Sequence, residues 1–239
     1  MSKSSWTLTA ILALTAAAGT MASTGSAARP RAAVYSPHID PATFQATVDH
    51  HYFPLVPGTR LVYREIAGGK ASENEVTVMA GTKLIMGVTC TIVHDVVKVG
   101  DRILEDTFDW YAQDKQGNVW YFGEDTREFL PRGHVTTEGS WEAGRDGAQP
   151  GLFMKAQPAP GAPYRQEYYR GHAEDMGQII AVGEAVSVPA GQYSGCVRTK
   201  DWSLLEAGHD FKWYAKGVGL VRSESASKEV AELLSVGRP

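Results

Sequence analysis

The amino-acid sequence predicts a mainly β protein, a single-domain antiparallel curved sheet, half-barrel or sandwich, and three observations carry that reading. From Tyr52 onward, short runs rich in β-branched and aromatic residues recur between Gly, Pro, Asp and Asn punctuation. Helical periodicity is thin, confined to 174–180 and 225–234, and the latter competes with a strand pattern. No period of about 20–50 residues repeats, which excludes a solenoid or propeller.

The elements follow in chain order. Lys3, an apolar run over 6–18 and the small residues Ser26-Ala27-Ala28 have the three-part layout of a secretory signal, so residues 1–28 are expected to be a signal peptide. That run is too short to span a bilayer, and no later stretch is long and apolar, so no transmembrane segment is expected. No cysteine lies near the cut, which argues against a lipid anchor, and the expected location is secreted or periplasmic. Residues 29–51 read as a flexible N-terminal arm and 52–239 as the β domain. Strands are expected over 61–63, 75–79, 91–93, 106–113, 119–122, 165–169, 179–188, 196–202, 211–214, 220–224 and 229–236. Residues 139–163, rich in Gly, Pro and Ala, read as a long loop of the kind used for lids or binding.

Composition limits the partners. The formal charge of -4 becomes -5 when Lys3 leaves with the signal, and no basic patch offers a footprint for nucleic acid. The chain has no G-x-G-x-x-G, P-loop, H-E-x-x-H or G-x-S-x-G motif, so no cofactor and no hydrolase triad are expected. His38, Asp40, Asp49, His50 and His51 match no zinc spacing and read as a solvated arm rather than a metal site. Cys90 and Cys196 each follow a glycine-containing turn. In an oxidising compartment they are expected to form a disulfide.

The candidate site lies in 105–125, EDTFDWYAQDKQGNVWYFGED, which carries six carboxylates and six aromatic rings around one turn. Asp114 to Asn118 fits a three-residue hairpin loop with Gly117 in a left-handed bulge. Carried along the strands, that register sets Tyr111 opposite Tyr121, Trp110 opposite Phe122, Phe108 opposite Glu124, Thr107 opposite Asp125 and Glu105 opposite Arg127. Alternation then yields two faces. Leu104, Phe108, Trp110, Trp120 and Phe122, interrupted by Asp106, read as the core side. Glu105, Thr107, Asp109, Tyr111, Tyr121 and Asp125, with Arg127 at the edge, line either a cleft or water. A second acidic-aromatic group follows in Tyr164 to Tyr169, with His172, Glu174 and Asp175 beyond it.

Several blocks resemble a group of secreted bacterial proteins of uncharacterised activity. They are Tyr52-Phe53-Pro54-Leu55 with Pro57-Gly58, then DWYAQD at 109–114 with GNVWYFGE at 117–124, EGSWEAG at 138–144 and YRQEYY at 164–169. The resemblance implies location and fold rather than chemistry. Two shorter blocks, VPAGQY at 188–193 and KGVGLV at 216–221, are similar to envelope β proteins. Those resemble in outline the curved half-barrels of periplasmic lipoprotein carriers, which cradle apolar ligands.

The leading functional expectation is an exported soluble protein that binds a small molecule or glycan in an acidic-aromatic cleft. Ligand-binding candidates are Glu105, Asp109, Tyr111, Tyr121, Asp125, Trp141 and Glu167, the tyrosines and Trp141 stacking and the carboxylates giving polar recognition. An alternative is a secreted carbohydrate-active hydrolase or lyase working through paired carboxylates, with Asp109, Glu124, Glu167 and His172 as catalytic candidates. A third is an envelope interaction protein without a pocket.

Overall fold

A computed structural model describes residues 35–238. The expected signal peptide, and residues 29–34 of the expected arm, lie outside the described residues. The strands are β1 (Phe44–Gln45), β2 (Val48–His50), β3 (Phe53–Leu55), β4 (Arg60–Ala67), β5 (Lys70–Ile85), β6 (Val88–Val99), β7 (Arg102–Asp114), β8 (Val119–Phe129) and β9 (Val135–Thr136). They continue with β10 (Trp141–Glu142), β11 (Gln149–Met154), β12 (Tyr164–Arg165), β13 (Glu167–Tyr168), β14 (Asp175–Val188), β15 (Gly191–Ser203), β16 (Asp210–Ala215), β17 (Gly219–Ser225) and β18 (Val230–Gly237). Among the described residues no helix is long and apolar enough to cross a membrane.

Two antiparallel meanders, β4 to β8 and β14 to β18, make the architecture, and β18 pairs with β4 to join them into one sheet. At the other side β8 pairs with β11, and β11 with β13, while β14 pairs with β12. Since β12 and β13 are adjacent in one short segment, that segment touches both remaining edges and nearly closes a barrel. Gln166, between them, donates its backbone N–H to the Asp175 carbonyl at 2.9 Å. Gly151 faces it so closely that a Cβ there would lie 2.1 Å from the Gln166 carbonyl. The expected mainly β antiparallel curved sheet is therefore present as one continuous surface, not as two sheets face to face. Register shifts at Val78/Thr82, Asp109/Tyr111 and Ile179/Ala181 give the long strands the bends that closure needs.

One end of the barrel interior is apolar. Phe53, from the β2–β3 hairpin, plugs it with ring centroids 4.5 Å from Phe153 and 5.1 Å from Tyr111. Tyr63, Val76, Val93, Val221 and Leu233 pack in the same cluster. The segment expected as a flexible arm is docked here. β1 pairs with β7, Gln113 Nε2 donates to Asp49 at 2.8 Å, and His50 Nε2 bonds the Lys155 carbonyl at 3.0 Å. These contacts employ two members of the His38–His51 group in packing. Among the described residues no three His, Cys, Asp or Glu are placed to hold a metal ion.

Three sequence expectations are corrected. The expected Cys90–Cys196 disulfide is absent, and both are free, buried thiols. β6 and β15 stand six steps apart in the strand order, and both thiols are packed in the hydrophobic core. Residues 139–163 are not one long loop, because β10 and β11 add to the edge of β8. The expected strand over 165–169 is split by Gln166, which changes partner strands. The strand pattern prevails over the helical one at 225–234, where Ser225 ends β17, residues 226–229 turn and β18 begins at Val230.

Candidate functional site: the acidic end of the barrel

The hairpin at 105–125 forms as the turn chemistry dictates. Asp114 N–H donates to the Asn118 carbonyl at 2.9 Å, Gly117 has φ 96°, and Tyr111 stands opposite Tyr121. Beyond Tyr121 the register slips. Gly123 (φ 125°) holds a bulge, after which Asp109 faces Glu124, Phe108 faces Asp125, Thr107 faces Thr126 and Glu105 faces Glu128. The pairings expected for Phe108, Thr107 and Glu105 are thus each displaced by one residue. The slip exchanges faces on β8, turning Glu124 and Thr126 inward and leaving Asp125 exposed.

The face carrying Glu105, Thr107, Asp109 and Tyr111 looks into the barrel, neither onto an open cleft nor out to water. Tyr111 and Tyr121 are fully buried, 4.9 Å apart, and packed on Phe53, Phe153 and Trp141. They serve as wall and core, and the Tyr121 hydroxyl donates to Asp109 Oδ1 at 2.8 Å. On the expected core side, Trp110 and Phe122 are buried, whereas Leu104, Phe108 and Trp120 are half-buried on the outer wall. There Phe108 stacks on His94 at 4.3 Å, and His94 Nε2 lies 2.6 Å from Asp106. That His–Asp contact accounts for the charge interrupting the apolar side.

Antiparallel geometry collects inward charges at one end. The C-terminal halves of β4, β6, β8 and β15 meet the N-terminal halves of β7, β14 and β16 there. Glu65, Asp95, Glu105, Asp109, Glu124, Glu167 and Asp201 are all buried at this end, with Asp175 and Asp210 half-buried nearer the solvent. One buried cation joins them: Lys212 Nζ sits 3.1 Å from Asp201 Oδ2. Small polar groups fill the intervals, with Thr107 bonded to Thr126 at 2.6 Å and to Glu105 at 3.0 Å.

Burial governs the electrostatics. It pushes Glu65 up to about 8, only partly offset by the Ser72 hydroxyl. Asp95 rises well above the usual carboxylate range through burial, then through Asp109, Glu105 and Glu65, although Asn74 Nδ2 donates to its Oδ1 at 2.8 Å. Glu124 rises for the same reason, with Asp109 and Glu167 as the like charges that raise it most. Glu167 is raised by burial and then by Asp175, while the Trp141 indole offsets a part. Asp175 and Asp210 are each pushed by burial to about 6. Burial works against the charge on Lys212, but Asp201 and Asp210 outweigh it and raise its pKa. Glu65 is thus protonated at neutral pH, and Asp95, Glu124 and Glu167 hold their protons more tightly than usual, so this wall can donate hydrogen bonds, share protons or ionise when a cation arrives.

Of the catalytic candidates, Asp109 and Glu124 are cross-strand neighbours and Glu167 acts electrostatically on both. His172 is apart from them, exposed and stacked on Tyr169 at 4.3 Å. Of the binding candidates, Glu105, Asp109, Tyr111, Tyr121, Trp141 and Glu167 are buried together and Asp125 is outside. Sequence reasoning placed Asp175 in the second acidic-aromatic group but missed Glu65, Asp95, Asp201, Asp210 and Lys212. The signal lies in strand alternation: Tyr63-x-Glu65, Val93-x-Asp95-x-Val97 and Lys212-x-Tyr214 each put a charge where an inward apolar residue belongs.

No protein-family model matches the chain, and no curated protein matches it. Two solved structures are similar in outline. A Bacteroides fragilis protein with a YMCC-like fold, assigned to the exported class, aligns over 79% of this chain and 100% of its own at 16% identity and TM-score 0.48. A Parabacteroides distasonis protein assigned as a lipoprotein aligns over 79% of this chain and 99% of its own at 14% identity and TM-score 0.43. At these values neither bears on what this chain does.

Proposed function

We propose that this is an exported binding protein, secreted or periplasmic, that takes a small molecule into the acidic end of its barrel. The observation that carries the reading is that, among the described residues, seven carboxyl side chains are buried at one end of one barrel and joined there by a single buried lysine. Burying ionisable groups costs stability, and a chain built for stability alone would place apolar residues there. Such concentrations of shifted carboxyls mark binding and catalytic sites more often than structural cores. Export rests on the layout of residues 1–28 and agrees with the resemblance of the 52–58 and 109–124 blocks to secreted bacterial proteins.

The test is native mass spectrometry of the exported chain, gently purified from its source. A mature N-terminus at Arg29 together with a retained small molecule supports the proposal. An uncleaved chain defeats export, and a bare protein that takes up nothing from a metabolite and oligosaccharide panel defeats binding. The adjacency of Asp109 and Glu124 also serves the hydrolase or lyase reading. Turnover of a glycoside, abolished by Glu124→Gln, would establish that reading instead.

A further inference from the structure

We propose that the ligand of the acidic end is an elongated organic cation, an amine carrying two or more charges, anchored by Glu167 and Asp95. This rests on the small-molecule reading above and names its class.

The first support is a set of buried oxygens without normal hydrogen bonds. Glu167 is 0% exposed and neither of its carboxyl oxygens accepts a hydrogen bond of normal geometry among the described residues. The Trp141 indole N–H faces it and falls short of that geometry. Asp95 is 1% exposed and its Oδ2 is in the same position, Asn74 being engaged on Oδ1. Acceptors of this kind, aimed into a cluster of like charge, are complementary to donors that also bring positive charge.

The second support is how charge is distributed around the barrel. On the β15–β16 side the protein supplies its own ammonium, Lys212, which Asp201 meets at 3.1 Å, on which Asp210 and Asp175 also act, and whose charge also reaches Glu167. On the β4–β8 side the strongest charged neighbours of Glu65, Asp95 and Glu124 are all carboxyls. Lys212 is thus an internal example of the group that the opposite wall takes from outside.

The third support is spacing. The β4–β8 carboxyls are spread over four strands, Glu65 on β4, Asp95 on β6, Glu105 and Asp109 on β7 and Glu124 on β8, at roughly 5 Å for each strand step, so they form an extended band. No three of them converge on a point where a metal ion would sit, among the described residues. A band of carboxyls matches a chain of amines, whereas a compact ion satisfies few of them.

Isothermal titration calorimetry on the mature full chain tests this with spermidine as the probe, and with calcium and a neutral chito-oligosaccharide as the other arms. Spermidine is expected to bind, with at least 10-fold weaker binding for Glu167→Gln and for Asp95→Asn. Asp125→Asn, on the outer face, should change affinity less than 2-fold. Should a carboxyl variant fail to fold, putrescine, spermidine and spermine at fixed ionic strength supply the same test, affinity rising at least 10-fold across the series. Equal affinity across the amines overturns the proposal because the added charges then meet no carboxyls, and equal loss in Asp125→Asn overturns it as surface attraction. Binding of the neutral sugar or calcium instead of spermidine overturns the amine class and leaves the binding reading standing. Binding of none of the probes overturns the amine class, and the metabolite panel above then decides the binding reading alone.

Discussion

Glu124 owes its chemistry to a one-residue displacement of its strand. Turned inward beside Asp109, its carboxyl binds its proton more tightly than usual because of burial and like charge. Gln reproduces the neutral form, so Glu124→Gln is expected to leave stability at pH 5 unchanged. As pH rises above the ordinary carboxylate range, where the unfolded carboxyl ionises and the folded one resists it, the variant should become the more stable of the two, measured by urea denaturation, while ligand affinity falls. Tyr121→Phe should instead destabilise at every pH by about 1–2 kcal/mol, since it removes the 2.8 Å bond to Asp109. The cysteines provide a further check. Burial pushes the Cys90 thiol up to about 12 and raises Cys196 as well. A thiol reagent should find no reactive group in the folded protein, and two in urea without reductant.

At the scale of elements, the site depends on the close approach of β10 to β8. At Gly123 a Cβ would lie 2.2 Å from the Trp141 carbonyl oxygen, and the backbone has φ 125°. Gly123→Ala should cost about 3 kcal/mol or more, read as a lower urea midpoint, with loss of ligand binding as the register is forced back. Much of the fold was legible in the sequence because turn chemistry and alternation are local. The 114–118 turn, the Tyr111–Tyr121 pairing and the common face of Glu105, Thr107, Asp109 and Tyr111 all follow from them. What was not legible depends on distant partners. The bulge at Gly123 is set by β10 lying against β8, and β11 becomes a strand only because an edge is available to it. The direction of the acidic face was illegible for the same reason. Alternation separates two faces, but only barrel closure through Gln166 determines which of them is inside.

For the whole molecule, the inward carboxyls predict an unusual dependence of stability on pH. Glu65, Asp175 and Asp210 have folded values of about 8, 6 and 6 against ordinary values of 4.5, 3.8 and 3.8. A raised carboxyl binds its proton more tightly in the folded state. Its stabilising effect is therefore complete below about pH 4 and is lost as pH rises through 6 and then 8. His50 acts in the opposite sense. Burial lowers its pKa, so its contribution is present above the ordinary 6.5 and fades as pH falls below it. One imidazole is outnumbered by the carboxyls, and a shift of about two units is worth on the order of 3 kcal/mol. The central claim, that the barrel encloses a protonated acidic end, is tested most directly by the unfolding free energy of the ligand-free mature protein from pH 5.5 to pH 8.5. The account predicts a fall of at least about 2 kcal/mol across that interval. A free energy that is flat, or that rises with pH, would contradict it.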